Sequence, residues 1–86
     1  MKKEIYLLIS SWSIDGGEYG YEVLGAYSNL NMAKNKLEED LKEMIKMHNL
    51  NYDTSLKEKS DDFYKLIVNH NGIETISTKI IVKEVE

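Results

Sequence analysis

The stretch Phe63-Tyr-Lys-Leu-Ile-Val-Asn-His70, Asn71-Gly72, Ile73-Glu-Thr-Ile-Ser-Thr-Lys-Ile80 decides the fold. Two β-branched and aromatic runs flank an Asn-Gly pair, the strongest short-range hairpin signal, because a type I′ turn needs positive φ at both central positions. The spacing predicts strands from Phe63 to His70 and from Ile73 to Val85. Pairing His70 with Ile73 sets Ile67 opposite Ile76 and Phe63 opposite Ile80, an apolar set suited to meet a helix. The reverse face then carries Val68 opposite Thr75, Leu66 opposite Ser77 and Tyr64 opposite Lys79.

Upstream, Glu4-Ile-Tyr-Leu-Leu-Ile-Ser-Ser-Trp12 and Gly20-Tyr-Glu-Val-Leu-Gly-Ala-Tyr-Ser28 predict a first hairpin, with Asp15-Gly16-Gly17 in its tip. With the tip centred near Gly16, Ile9 faces Val23 and Ile5 faces Tyr27, while Leu8 faces Leu24 and Tyr6 faces Ala26 on the other side. From Asn29 to about His48 the period changes to 3.6. Leu30, Ala33, Leu37, Leu41, Met44, Ile45 and His48 fall on one stripe, so this segment predicts an amphipathic helix with Ser28 or Asn29 as its N-cap. Residues 49–62 contain neither Gly nor Pro and carry Leu50, Tyr52 and Leu56 as anchors, which suits a structured loop or an extra helical turn.

Together these elements predict one domain over residues 1–86, of the α+β class: ββαββ, a four-stranded antiparallel sheet with one amphipathic helix packed on one face. One helix covers one face. The other, carrying Tyr6, Leu8, Leu24, Tyr64, Leu66 and Val68, is then an apolar surface that needs a cover. The candidates are a second copy of the chain in a homodimer, the 49–62 segment folded back, or a target protein. A chain of 86 residues is also short of core, since small domains bury only about 60% of the surface they expose when unfolded.

Composition removes several function classes. Without cysteine there is no disulfide framework, thiol nucleophile or thiolate metal site. All 11 basic residues are lysine, so the side chain best suited to bidentate phosphate recognition is missing. With a net charge of −4, duplex nucleic-acid binding is not expected, because phosphate neutralisation supplies most of that affinity. The longest apolar run, Ile5 to Ile9, falls far short of the ~20 residues a membrane helix needs. A cytoplasmic protein with no membrane association is the expectation.

Nor does a catalytic constellation emerge. His48 ends the helix stripe, where it favours the C-terminal dipole, and His70 flanks a tight turn. Their spacing does not suit a metal site. Glu38-Glu39-Asp40 points in different directions around a helix, and Asp61-Asp62 precedes a strand. The expectation is a non-enzyme with no catalytic, cofactor-binding or metal-binding residues.

Aromatic usage is more informative: six tyrosines and one tryptophan, with Trp12, Tyr19 and Tyr21 near the first hairpin tip beside Asp15, Glu18 and Glu22. Tyr and Trp dominate binding hot spots because they bury much area and keep a polar end. These six residues are therefore the candidate protein-binding site.

Val23-Leu24-Gly25-Ala26-Tyr27-Ser28, leading into a helix with Ala33 early in it, resembles small uncharacterised proteins of phages and mobile elements. In general character the chain is also similar to phage-encoded inhibitors of bacterial defence, including anti-CRISPR proteins. That resemblance implies a small acidic protein-binding module that inhibits a host defence protein by surface occlusion in the host cytoplasm. Its acids would steer it toward a basic, nucleic-acid-binding effector. The alternative is a homodimer that holds a nucleotide-like small molecule between its subunits.

Overall fold

A computed structural model describes residues 3–14, 18–70 and 72–85. Its elements are β1 (Lys3–Ile14), β2 (Glu18–Tyr27), α1 (Leu30–Met47), α2 (Tyr52–Ser55), β3 (Leu56–Ser60), β4 (Phe63–His70) and β5 (Ile73–Val85). The class is α+β, with five antiparallel strands in the order β2-β1-β5-β4-β3 rather than four. The additional strand, β3, comes from the 49–62 segment and lies at the sheet edge. Its sequence, Leu-Lys-Glu-Lys-Ser, lacks apolar alternation, but an edge strand is where such charge is tolerated. A two-residue turn at Asp61-Asp62 joins it to β4, and Ser60 Oγ donates to Asp62 Oδ1 at 2.9 Å.

The helix begins where the sequence places it. Asn29 is the N-cap, its Oδ1 accepting from Asn31 N at 2.8 Å and Met32 N at 3.3 Å. At the other end Asn49 takes a left-handed φ of 52°, Leu50 N donates to Ile45 O and Asn49 N to Lys46 O. This Schellman arrangement brings Leu50 back beside Ile45, and both pack on the core. Ala33, Leu37 and Leu41 are the buried stripe of α1.

The largest departure from expectation is which sheet face the helix covers. His70 pairs with Ile73 as the Asn-Gly turn requires, and Gly72 has φ 80°, but Ile67 then pairs with Thr75 rather than Ile76. A bulge intervenes, with Asn69 in the left-handed region at φ 47°. The slip turns Tyr64, Leu66 and Val68 toward the helix with Ile76, and all four are buried. Phe63, Lys65 and Ile67 face the other way. In the unbulged register Lys65 would take the place of Tyr64 opposite Thr78 under the helix, where its charge would be desolvated. A left-handed asparagine costs far less than that, since Asn is among the residues that tolerate αL.

A second bulge lies in β2. Ile9 pairs with Val23 as expected, after which the register shifts at Leu24, so that Leu8 faces Gly25 and Tyr6 faces Tyr27. Leu8 and Ser10 are buried on the helix side. The surface assigned from sequence to a dimer or partner is thereby corrected. Leu8, Tyr64, Leu66 and Val68 form the core with Leu37 and Leu41. Tyr6 aligns with Tyr27 and Val82 on the same side, and Leu24 borders a groove with Leu8, Tyr27 and Asp40. Among the described residues no helix is long and apolar enough to cross a membrane.

Candidate functional site

The face turned away from the helix is the candidate site, and the strand registers give its layout. One row runs Tyr19, Ser13, Thr75, Ile67 across β2, β1, β5 and β4. The next runs Tyr21, Ser11, Ser77, Lys65 and on to Glu58 of β3. A third runs Val23, Ile9, Lys79, Phe63, Ser60. Beyond it lie Ala26, Leu7 and Ile81, then Ile5 and Lys83. None of these side chains is buried. The open face therefore exists as the sequence suggests, but with a different set of residues.

Its most exposed members stand on the outer strand: Tyr19 at 85%, Tyr21 at 76% and Val23 at 55%. Alternation along β2 puts all three on the open side, because Gly20 and Glu22 take the helix side opposite Trp12 and Ser10. In the centre Ser13 Oγ and Thr75 Oγ1 are 2.8 Å apart. The charges facing outward are chiefly Lys65, Lys79 and Lys83.

The tip cluster read from the sequence is split by this geometry. Tyr19 and Tyr21 are on the surface, as a contact site requires. Trp12 is half-buried on the opposite face, its indole lying so close over Gly20 that any Cβ there would collide with it. Trp12 belongs to the core, and Gly20 is the space it occupies. Glu22 is exposed, but on the helix side. Asp15 and Asn71 lie outside the described residues, as do the side chains of Glu18 and His70.

A polar network that the sequence reading missed lies under the helix. The Tyr64 hydroxyl donates to Asp40 Oδ2, and Thr78 Oγ1 donates to the same oxygen at 3.0 Å. Since a carboxylate only accepts and a hydroxyl has one hydrogen, the 3.3 Å contact between Ser10 Oγ and Thr78 Oγ1 has serine as donor. Burial, followed by the bond to Asp40, holds the Tyr64 phenol well above the usual tyrosine range. Tyr64 and Thr78 have no solvent exposure, and this relay fastens helix to sheet. Lys59 of β3 adds an ion pair to Glu38, and Lys34 approaches Asp61 at 4.0 Å.

The concavities are shallow. The open face has one of about 210 Å³ over Ser11, Ser13, Lys65 and Ser77, smaller than the roughly 300–1,000 Å³ usual for a ligand pocket. A groove of about 450 Å³ lies between the helix start and the β3–β4 turn, with Leu30, Ile80 and Val82 as its apolar lining. Among the described residues no cluster of three His, Asp or Glu side chains is placed to hold a metal ion. No family model matches the chain, and neither a curated protein nor a solved structure matches it.

Proposed function

We propose that this chain is a small, non-enzymatic protein-binding module that works by occupying a surface on a larger protein. The observation that supports it is the open sheet face: Ile5, Leu7, Ile9, Phe63, Ile67 and Ile81 on one surface, rimmed by the exposed Tyr19 and Tyr21. Apolar area with tyrosine anchors is the composition of an interface core, and large exposed patches of this kind mark interaction sites. Lys65, Lys79 and Lys83 on the same face suit an apolar partner patch with an acidic rim. Of the chain's 15 acids, six lie on α1 and in the β3–β4 turn.

The test is affinity capture of a partner from the native host, followed by titration of the purified pair with two variants. Tyr21→Ala is expected to weaken binding at least about tenfold, the usual scale for an aromatic anchor, with the fold retained by circular dichroism. Lys42→Ala, on the exposed side of α1, is expected to leave binding unchanged. A partner whose affinity responds to Lys42→Ala and ignores Tyr21→Ala would place the contact on the helix and sink the assignment.

A further inference from the structure

The two lateral edges of the sheet are built differently. β3 has five residues, carries Lys57, Glu58 and Lys59, and is bulged between Leu56 and Glu58. Short length, lysines and a bulge are the devices that stop an edge strand from pairing with another chain. β2 has ten residues, none of them lysine or proline. From Glu18 to Val23 it follows β1 without interruption, and its bulge comes only beyond that run. One edge is guarded and the other is left open.

We propose that β2 pairs antiparallel with β2 of a second copy, about a two-fold axis at Tyr21, joining two five-stranded sheets into one. The register follows from face and charge. Opposed side chains must share a face, so the axis passes at a residue and not between two. An axis at Gly20 sets Glu18 against Glu22, and an axis at Glu22 sets that glutamate against itself. Like charges directly opposite destabilise a strand pair. At Tyr21 no acids meet: tyrosine opposes tyrosine, Tyr19 opposes Val23, and Glu22 opposes Gly20. Aromatic with aromatic and aromatic with β-branched are the favourable cross-strand pairs. The contact is isologous, so it closes as a dimer and does not propagate.

This pairing consumes the backbone edge of β2 and leaves the side chains of Tyr19, Tyr21 and Val23 on the open face. The two open faces become continuous, with a strip of these residues from both copies across the middle. The inference is independent of what that face binds.

Because the chain has no cysteine, single cysteines read the register directly. Light scattering over a concentration series is expected to give twice the 10.0 kDa chain mass, falling to 10.0 kDa in Tyr21→Lys. Mixing Tyr21→Lys with Tyr21→Glu is expected to restore the doubled mass. On mild oxidation Tyr21→Cys should crosslink to itself, and Tyr19→Cys only when mixed with Val23→Cys. Lys57→Cys, on the guarded edge, should stay uncrosslinked. A 10.0 kDa particle at every concentration, a doubled mass that survives Tyr21→Lys, or crosslinking at Lys57→Cys in place of Tyr21→Cys would each overturn the proposal. Circular dichroism melts of each variant separate loss of pairing from loss of fold, and the Tyr21→Cys crosslink does not depend on the lysine variant folding.

Discussion

Tyr64 and Lys65 are consecutive residues, yet each starts a polar row across the same three strands. Tyr64, Thr78 and Ser10 align on the helix side, and Lys65, Ser77 and Ser11 align on the open side. The first row is dry, because α1 delivers Asp40 as an acceptor for the Tyr64 and Thr78 hydroxyls. The second stays half-exposed. Hydroxyl content therefore does not decide which face of a sheet is buried. What decides it here is a carboxylate on the helix that can satisfy one row, and a lysine that keeps the other in water.

The strongest way to break this comparison is to place a lysine on the helix side. Leu66→Lys buries a charge one residue away from the lysine that keeps its own in water, and the expected loss is at least about 3 kcal/mol, the scale for a buried charge without a partner. Deleting Asn69 is the control: it removes the extra residue, so Ile67 still faces Thr75 and Lys65 still faces Ser77, and the loss should stay within about 1 kcal/mol. Urea unfolding of both variants checks this, and a Leu66→Lys variant as stable as the parent would refute the dryness of the helix side.

Neighbouring apolar residues on the two faces give the next largest contrast. Leu66 is fully buried and Ile67 is half-exposed. Leu66→Ala is expected to cost about 2–5 kcal/mol and Ile67→Ala about 1 or less. Equal losses would mean that both faces are covered in solution. In that case the Ile67→Ala cost should fall on dilution, as a cover made by a second molecule requires.

How much of this was legible follows from the same residues. The helix could be read because its period is local, and Asn29 announces its start. The Asn-Gly turn fixed the His70–Ile73 pair correctly. β3 was missed because an edge strand with three charges has no apolar alternation to detect. The face assignment was inverted by one extra residue two positions before the turn, which no propensity marks. The available signal was Lys65, midway between Phe63 and Ile67, since that face could not be dry with a lysine at its centre. For the candidate site, the open face survived the inversion because both faces of β1 and β4 are apolar. Tyr19 and Tyr21 kept their place, and Trp12 moved to the core because only the structure shows its ring lying on Gly20.

Tyr64 also makes the comparison sensitive to pH. Its phenol is held above the usual tyrosine range when folded, so the neutral form is the one the fold favours. The stability it contributes is complete below the unfolded tyrosine pKa of about 10, and is lost as pH rises above that value. Tyr64→Phe should cost about 1–2 kcal/mol at neutral pH, through the donor removed from Asp40. It should also unfold less steeply than the parent in alkali. A parent and variant that lose stability in parallel from pH 9 upward would remove Tyr64 from the alkaline transition.

The finest contrast lies between two threonines on β5. Thr78 is fully buried and donates to Asp40, whereas Thr75 is half-exposed and shares a hydrogen bond with Ser13. Valine is nearly isosteric with threonine, so each exchange deletes a hydroxyl while keeping the β-branched shape that a strand favours. Thr78→Val takes a donor from a carboxylate and an acceptor from Ser10, both under the helix, and is expected to cost about 1–2 kcal/mol. Thr75→Val leaves a serine that water can reach, so its effect should stay within about 0.5 kcal/mol. If the open face is covered in solution by a partner or a second sheet, water no longer repairs that serine, and the Thr75→Val cost should rise toward that of Thr78→Val. The ratio of the two losses, measured at low and high protein concentration, therefore reports whether the open face is wet.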